Sequence, residues 1–381
     1  MVYLDYNAST PVDQRILPAV VDAHAVFGNP ASSHHSAGQA AAELIEEARS
    51  RVASLVRRPS QHVVFTSGAS EAATLGLVGA MLGASERPNV VIGATEHKAI
   101  IAAAELGARL VGGEVRRVDV GPDGIIDLQK LSELVDGSVG VVAVMAANNE
   151  TGVLGPVLEV GRVAALAGSL FFVDATQLVG KASLAVTAET ADLMIFSSHK
   201  IYGPKGAGAL IASRQVQKSI VPIVPGGGQE RGIRGGTQNT PSIVGFGLAA
   251  ELVMKEQPND AARIHQLASD LFAALCDDIP GVELNGSDSQ RLSNTLNLRF
   301  IGADAEAVMA SMPDVMVSSG SACQSAVTSP SHVLLAMGMT SAAAAESLRI
   351  SLGRPTTCEE INVSASAIAT AVSRVRDMTA A

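Results

Sequence analysis

Lys200 stands in Ser197-Ser198-His199-Lys200-Ile201-Tyr202-Gly203-Pro204-Lys205-Gly206, directly after the apolar run Leu193-Met194-Ile195-Phe196. A lysine that emerges where a buried strand ends can be desolvated. This favours the neutral amine and Schiff-base chemistry with an aldehyde such as pyridoxal phosphate. A second apolar run, Leu170-Phe171-Phe172-Val173, closes on Asp174 and would bring a carboxylate to the end of a neighbouring strand, where a pyridinium nitrogen could meet it. Gln177, three residues further on, could hold a cofactor oxygen or cap a helix.

Other polar residues follow strand-like runs in the same way. Thr66-Ser67-Gly68-Ala69-Ser70-Glu71 would join a strand to a helix, so the N–H groups about Ala69 and the Ser70 hydroxyl could cup a phosphate, or Ser70 could be a plain N-cap. Ser197, Ser198 and His199 could complete that cup. His97, in Ala94-Thr95-Glu96-His97-Lys98-Ala99, could stack on a flat heteroaromatic ring and exchange protons with a substrate, or simply end a strand. Asn148-Asn149-Glu150-Thr151-Gly152 reads as a turn or as amides for a ring substituent.

Three features lie further along the chain. Pro225-Gly226-Gly227-Gly228-Gln229-Glu230-Arg231-Gly232-Ile233-Arg234-Gly235-Gly236-Thr237 is a flexible surface loop or an arm that carries the Thr237 hydroxyl to a neighbouring active site. Arg349, inside a strand-like run, offers a planar fork to a carboxylate, or lies on the surface. Cys323, in Ser318-Ser319-Gly320-Ser321-Ala322-Cys323-Gln324-Ser325-Ala326, has small neighbours that leave its sulfur unshielded, which suits a nucleophile that must swing. Cys276 and Cys358 read as packing residues.

The elements that must position these groups alternate over residues 61–213. Strands are predicted at 62–66, 89–93, 139–144, 170–173, 193–196 and 209–212, with helices at 71–82, 127–135 and 156–167. Such alternation predicts an α/β fold with an open, mainly parallel sheet covered on both faces and ligands at the carboxyl ends of its strands. Helices at 242–256 and 260–278, strands at 294–300 and 348–352 and a closing helix at 358–378 predict a smaller α+β domain. The expected division is a large domain over 15–258, with 1–14 and 259–381 forming the small domain that carries the cysteine loop.

With 381 residues, two domains are expected. No apolar run reaches the ~20 residues of a membrane helix, and the first residues lack the pattern of a secretory signal, so the expected compartment is the cytoplasm. Three scattered cysteines argue against a disulfide scaffold or a zinc site. Against 27 basic side chains there are 37 acidic ones, a net charge of -10 that disfavours direct nucleic-acid binding.

Segments spread along nearly the whole chain resemble the NifS/IscS-like cysteine desulfurases, within the class V aminotransferase family of fold type I pyridoxal phosphate enzymes. They include Tyr3-Leu4-Asp5-Tyr6-Asn7-Ala8, Gly28-Asn29-Pro30-Ala31-Ser32, Glu96-His97-Lys98-Ala99, Val173-Asp174-Ala175-Thr176-Gln177, His199 to Gly206, Ser318 to Cys323 and Arg349-Ile350-Ser351-Leu352-Gly353-Arg354. The resemblance implies a large domain built on a mainly parallel seven-stranded sheet. It implies that Lys200 holds pyridoxal phosphate, Asp174 pairs with the ring nitrogen, Gln177 meets the ring hydroxyl, and His97 stacks on the ring beside Asn149. Ala69, Ser70, Ser197 and His199 would bind phosphate, joined by Thr237 from a second subunit of a homodimer. Arg349 would take the carboxylate of L-cysteine, with Asn7 and Asn149 also at the substrate, and Cys323 would accept its sulfur for a protein acceptor. A selenocysteine lyase or another class V transaminase or epimerase is the alternative reaction. Ser70, Ser198 and Gln324 depart from the usual Thr, Gly and Thr, and the long tail through which some members meet a scaffold is not seen, so the acceptor stays open.

Overall fold

The computed structural model describes residues 1–319 and 330–380. A short strand, β1 (Val2–Tyr3), opens the chain, and seven strands then build the central sheet: β2 (Val63–Thr66), β3 (Asn89–Gly93), β4 (Val115–Val118), β5 (Val139–Met145), β6 (Leu170–Asp174), β7 (Leu193–Ser197) and β8 (Gly208–Ala212). Their order is β2-β8-β7-β6-β5-β3-β4, and β8 alone among them runs antiparallel to its neighbours. The second layer holds β9 (Val282–Leu284), β10 (Thr295–Phe300) and β12 (Ser347–Ser351) in an antiparallel sheet, while β11 (Val315–Met316) pairs in parallel with β1.

The inner strands of this sheet, β5 to β8, are apolar apart from the polar residues that end β6 and β7, because both faces are covered. Phe171, Val173, Met194, Phe196, Ala209 and Ile211 pack into one core, whereas Phe172, Leu193, Ile195, Leu210, Val141 and Ala143 pack into the core on the opposite face. The two-residue period of a strand sorts them. Each large apolar side chain buried this way contributes about 1.5–3 kcal/mol. A third core joins Val2 and Leu4 to Ile264, Leu271, Leu298, Phe300, Ile350 and Val372.

The predicted strands and helices of residues 61–213 are present, with ends displaced by a residue or two. The expected helix at 71–82 runs over Ala69–Ala73, widens into a π turn at Thr74–Val78 and finishes at Gly79–Gly83. Sequence periodicity did not single out β4 or the helices Ser36–Leu55 and Lys98–Val111. The expected interruption between helices at 242–256 and 260–278 is corrected: one helix spans Thr240–Asp278 with Pro258 inside it. Ile243, Phe246 and Val253 on one half enter the first core, while Ile264, Leu267 and Leu271 on the other enter the third, so packing on both sides of Pro258 outweighs the lost backbone hydrogen bond. The helix Ser36–Leu55 crosses it closely, since a Cβ at Gly247 would lie 2.6 Å from the Ala48 Cα.

The glycine-rich stretch is fastened at its middle. Arg49 makes two hydrogen bonds to Glu230 at 2.8 and 3.0 Å, with 3% and 0% of the two side chains exposed, and Glu230 also accepts the Phe65 N–H at 3.0 Å. Glu230 and Arg231 adopt φ of 44° and 59°, a left-handed geometry that these contacts hold in place. Breaking a buried pair strands a charge, so Arg49→Met is expected to lower unfolding stability by about 3–5 kcal/mol in urea titrations. Arg51→Ala, which removes more exposed ion pairs, should cost less than about 1 kcal/mol; equal losses would contradict this role for Arg49.

Candidate functional site

The polar groups gather where β5, β6 and β7 end, against the segment that follows β1. Asp174 is the last residue of β6 and Ser197 the last of β7, and Lys200 closes the short 3-10 turn Ser198–Lys200. Parallel pairing sets Asp174 beside Ile195, which aligns the two strand ends. Asp174 Oδ1 accepts the Thr176 N–H at 2.9 Å, and the carboxylate lies close enough to His97 to act on it electrostatically.

Asn7 joins these groups. Its main-chain oxygen accepts from Lys200 Nζ and from Gln177 Nε2 at 3.0 Å, while Lys200 Nζ also donates to the Ala8 oxygen at 2.9 Å. The Asn7 side chain, 1% exposed as a residue, donates to the Asn149 oxygen at 3.2 Å and to Thr295 Oγ1 at 2.9 Å. Arg349 Nη1 donates to the same Asn149 oxygen at 3.1 Å, and Nη2 pairs with Asp5 at 2.6 Å. Arg349 Nε is buried without a partner among the described residues, so the fork keeps donor capacity for a ligand. Sequence reasoning left Arg349 divided between surface and site; it is 5% exposed and tied to Asn149 and Asp5.

His97 caps the helix Lys98–Val111, its Nδ1 accepting the Ala99 N–H at 3.1 Å. Both sequence readings of this residue are therefore compatible: with Nδ1 accepting, the neutral ring carries its proton on Nε2, free for a ligand. Burial, with Lys200 nearby, lowers the His97 pKa despite Asp174, so the neutral form dominates. Burial together with Lys200 and Lys205 takes His199 down to about 4; its Nδ1 lies 3.2 Å from Ser9 Oγ.

The helix that begins at Ala69 points its amino end toward Ser197, and a Cβ on Gly68 would meet only the Ser197 hydroxyl, at 3.9 Å. Gly208 presses against Gly68 from below, where a Cβ would come within 2.6 Å of the backbone, so β8 fixes the turn. This leaves an open, donor-lined cradle for an anion. Ser70 is exposed at the cradle's rim, and Ser198 is fully buried against Gly203 instead of lining it. An anion cradle, an amine, a carboxylate and a neutral imidazole together suit a flat heteroaromatic aldehyde bearing a phosphate.

Thr237 is exposed, three residues past Arg234, which pairs with Glu71 at 2.7 Å beside this cradle. Cys323 lies outside the described residues. On either side of it the chain is tied to the site: Ser318 exchanges backbone hydrogen bonds with Arg349 at 3.1 and 2.6 Å, Ser331 donates to Glu150 at 2.5 Å, and His332 Nε2 lies 3.0 Å from the Glu96 oxygen. Burial raises the Glu150 pKa to about 7 against the pull of Ser331, Arg349 and Lys98. Sequence reasoning missed Asp5, Glu150 and Lys181, whose signal is their company after folding; among the described residues no His, Cys, Asp and Glu side chains converge as a metal site.

Residues 2–363 match the class V aminotransferase family. A cysteine desulfurase of Frankia sp. (strain EuIK1) is 45% identical over 390 residues, covering 99% of this chain and 93% of that one. A solved NifS-like protein superposes with a TM-score of 0.89 at 32% identity, covering 98% of this chain and 99% of that one. A solved structure described as SspA in complex with cysteine gives a TM-score of 0.82 at 31% identity, covering 94% and 100%. The chain belongs to the class V aminotransferase family. Within that family it is a cysteine desulfurase.

The His199 ring provides a direct check on these electrostatics. The unfolded chain takes up the proton near the ordinary 6.5, whereas the folded one waits until about 4. The stabilisation is therefore complete above the ordinary value and is lost as pH falls toward 4. An NMR titration of the ligand-free protein should place the His199 midpoint near 4, and His199→Asn should flatten the stability–pH curve across that window. A midpoint in the ordinary range would contradict the assigned environment.

Proposed function

We propose that this cysteine desulfurase holds pyridoxal phosphate on Lys200 and moves the sulfur of L-cysteine to Cys323, releasing L-alanine. The observation that carries the reading is the convergence of Lys200, Gln177 and Asn149 on Asn7, with Arg349 bonded to the same Asn149 oxygen and Asp174 at the neighbouring strand end. When bound, the cofactor supplies an aldehyde that condenses with amines and a ring that withdraws electrons from the substrate α-carbon.

The chain's own residues have separable tasks. Lys200 would hold the cofactor through its amine. Asp174 would offer the ring nitrogen a buried carboxylate that favours its protonated form, and Gln177 would give the ring oxygen a donor. His97 would lie against the ring, its Nδ1 already engaged by the Ala99 N–H. Ala69, Ser70, Ser197 and His199 would hold the phosphate, His199 uncharged. Arg349, aligned by Asp5 and the Asn149 oxygen, receives the substrate carboxylate, and Asn7 and Asn149 complete that wall. Cys323, as a thiolate, attacks the substrate sulfur; the bond from that sulfur to the β-carbon breaks, its electron pair stays on carbon and takes a proton toward L-alanine, and Cys323 keeps the sulfur as a persulfide for transfer to a protein acceptor.

The subunit arrangement is part of the proposal. Arg49–Glu230 and Arg234–Glu71 fasten the arm on this chain, and beyond them Thr237 is exposed, as a hydroxyl offered to a second subunit would be. Net negative charge favours delivery to a protein acceptor over direct nucleic-acid contact. Among the described residues no helix is long and apolar enough to cross a membrane; a cytoplasmic location is proposed.

Cys323→Ser is expected to abolish alanine and sulfide production while leaving the visible band of the bound cofactor; desulfuration at the wild-type rate would refute the role of this thiol. Arg349→Gln should raise KM for L-cysteine about 10–100-fold, the worth of a charge-assisted hydrogen bond. Light scattering should give twice the 38.9 kDa of one chain, and a fully active monomer would refute the arm's proposed reach.

A further inference from the structure

Lys181 is a half-buried lysine with no task in the reaction described above. Its Nζ donates to Asn7 Oδ1 at 2.7 Å and to Gln177 Oε1, both side-chain amide oxygens, and neither partner is an acid. Burial, reinforced by the nearby Lys200 and Arg349, drives its pKa far below the usual lysine value. Charged or neutral, a lysine amine has at least two N–H bonds, enough to serve both amide oxygens.

The orientation of each amide in this cluster is forced by groups of fixed polarity. Asn7 Nδ2 faces the Asn149 main-chain oxygen, which can only accept, so Asn7 Oδ1 must turn to Lys181 and to Asn294 Nδ2, 3.1 Å away. Asn294 Nδ2 is fixed in turn by donating to the Leu352 oxygen at 3.1 Å. Gln177 Nε2 likewise faces a pure acceptor, the Asn7 main-chain oxygen, and its Oε1 is left for Lys181. Without a donor at position 181, Gln177 Oε1 would be buried without a partner, and a flipped amide would become competitive.

We propose that Lys181 is a positioning residue that locks the Gln177 amide with its Nε2 donor toward the cofactor site, so that the ring oxygen always meets a hydrogen-bond donor and never an acceptor. The proposal rests on the reading of Gln177 given above. Lys181 acts through Gln177 and touches neither substrate nor cofactor. Its consequence is electronic: an anionic ring oxygen deprived of a donor holds the proton of the neighbouring nitrogen more tightly, which moves the pH midpoint of the visible band upward.

The test is a double-mutant cycle on the holoenzyme, read as the pH midpoint of the visible band and the dissociation constant of pyridoxal phosphate. Gln177→Leu and Lys181→Met should each raise the midpoint by about one pH unit and weaken cofactor binding about tenfold. The double variant should move no further than either single one, because both changes remove the same hydrogen bond. Additive shifts would mean that Lys181 acts independently of Gln177 and would overturn the proposal. So would a wild-type midpoint in Lys181→Met while Gln177→Leu shifts, an outcome that leaves the Gln177 reading intact. A wild-type midpoint in Gln177→Leu sinks that reading itself. Lys181→Gln retains a donor and should keep the wild-type midpoint; if Lys181→Met does not fold, a Lys181→Gln midpoint displaced as far as that of Gln177→Leu overturns the proposal.

Discussion

The site depends on the hydrogen bonds of one residue, Asn7. Its main chain engages Lys200 and Gln177, and its side chain engages Asn149, Thr295, Asn294 and Lys181. These partners come from the ends of the central strands and from the second sheet. Leu4, three residues earlier, is fully buried in the third core, and the Asn7 N–H donates to Ser351 Oγ in β12 at 2.9 Å. The chain's first residues thus act as a bracket between the two layers. A shift of the bracket would displace Lys200, Gln177 and Arg349 together.

Burial gives this bracketed space an unusual charge inventory. His97, His199 and Lys181 are pushed toward their neutral forms, and Glu96 is fully buried with its pKa raised well above the ordinary value. Desolvation is the largest cause in all four, since a low-dielectric site disfavours any charge that lacks a partner. Arg349 is a charge that does have one, in Asp5. Neutral donors and acceptors hold orientation without competing electrostatically for an anionic ligand, leaving the fork and the helix amino end to attract it.

Much of the central architecture was legible because its strands obey local rules. Runs such as Leu170 to Asp174 and Leu193 to Ser197 are apolar, β-rich and bounded by polar residues, so both the strand and the polar residue at its end could be read together. β4 was not legible: Val115-Arg116-Arg117-Val118 places two arginines at a sheet edge, where pairing with β3 and not composition makes it a strand. The helix through Pro258 defeated a local rule because packing at both of its ends was decided by residues distant in sequence. The same division applies to the site. Lys200, Asp174 and His97 announce themselves by position, whereas Lys181, Asp5 and Glu150 acquire meaning through partners 170 or more residues away. Ser198 shows the converse, a polar residue beside the lysine whose side chain packs inward against Gly203.

The most direct test of the account is borohydride reduction of the purified holoenzyme followed by peptide mapping. A lysine at the end of β7, held by the Asn7 and Ala8 oxygens, is predicted to carry the reduced pyridoxyl adduct, so the modified peptide should contain Lys200 and Lys181 should be unmodified. An adduct at any other lysine, or none, would contradict the account.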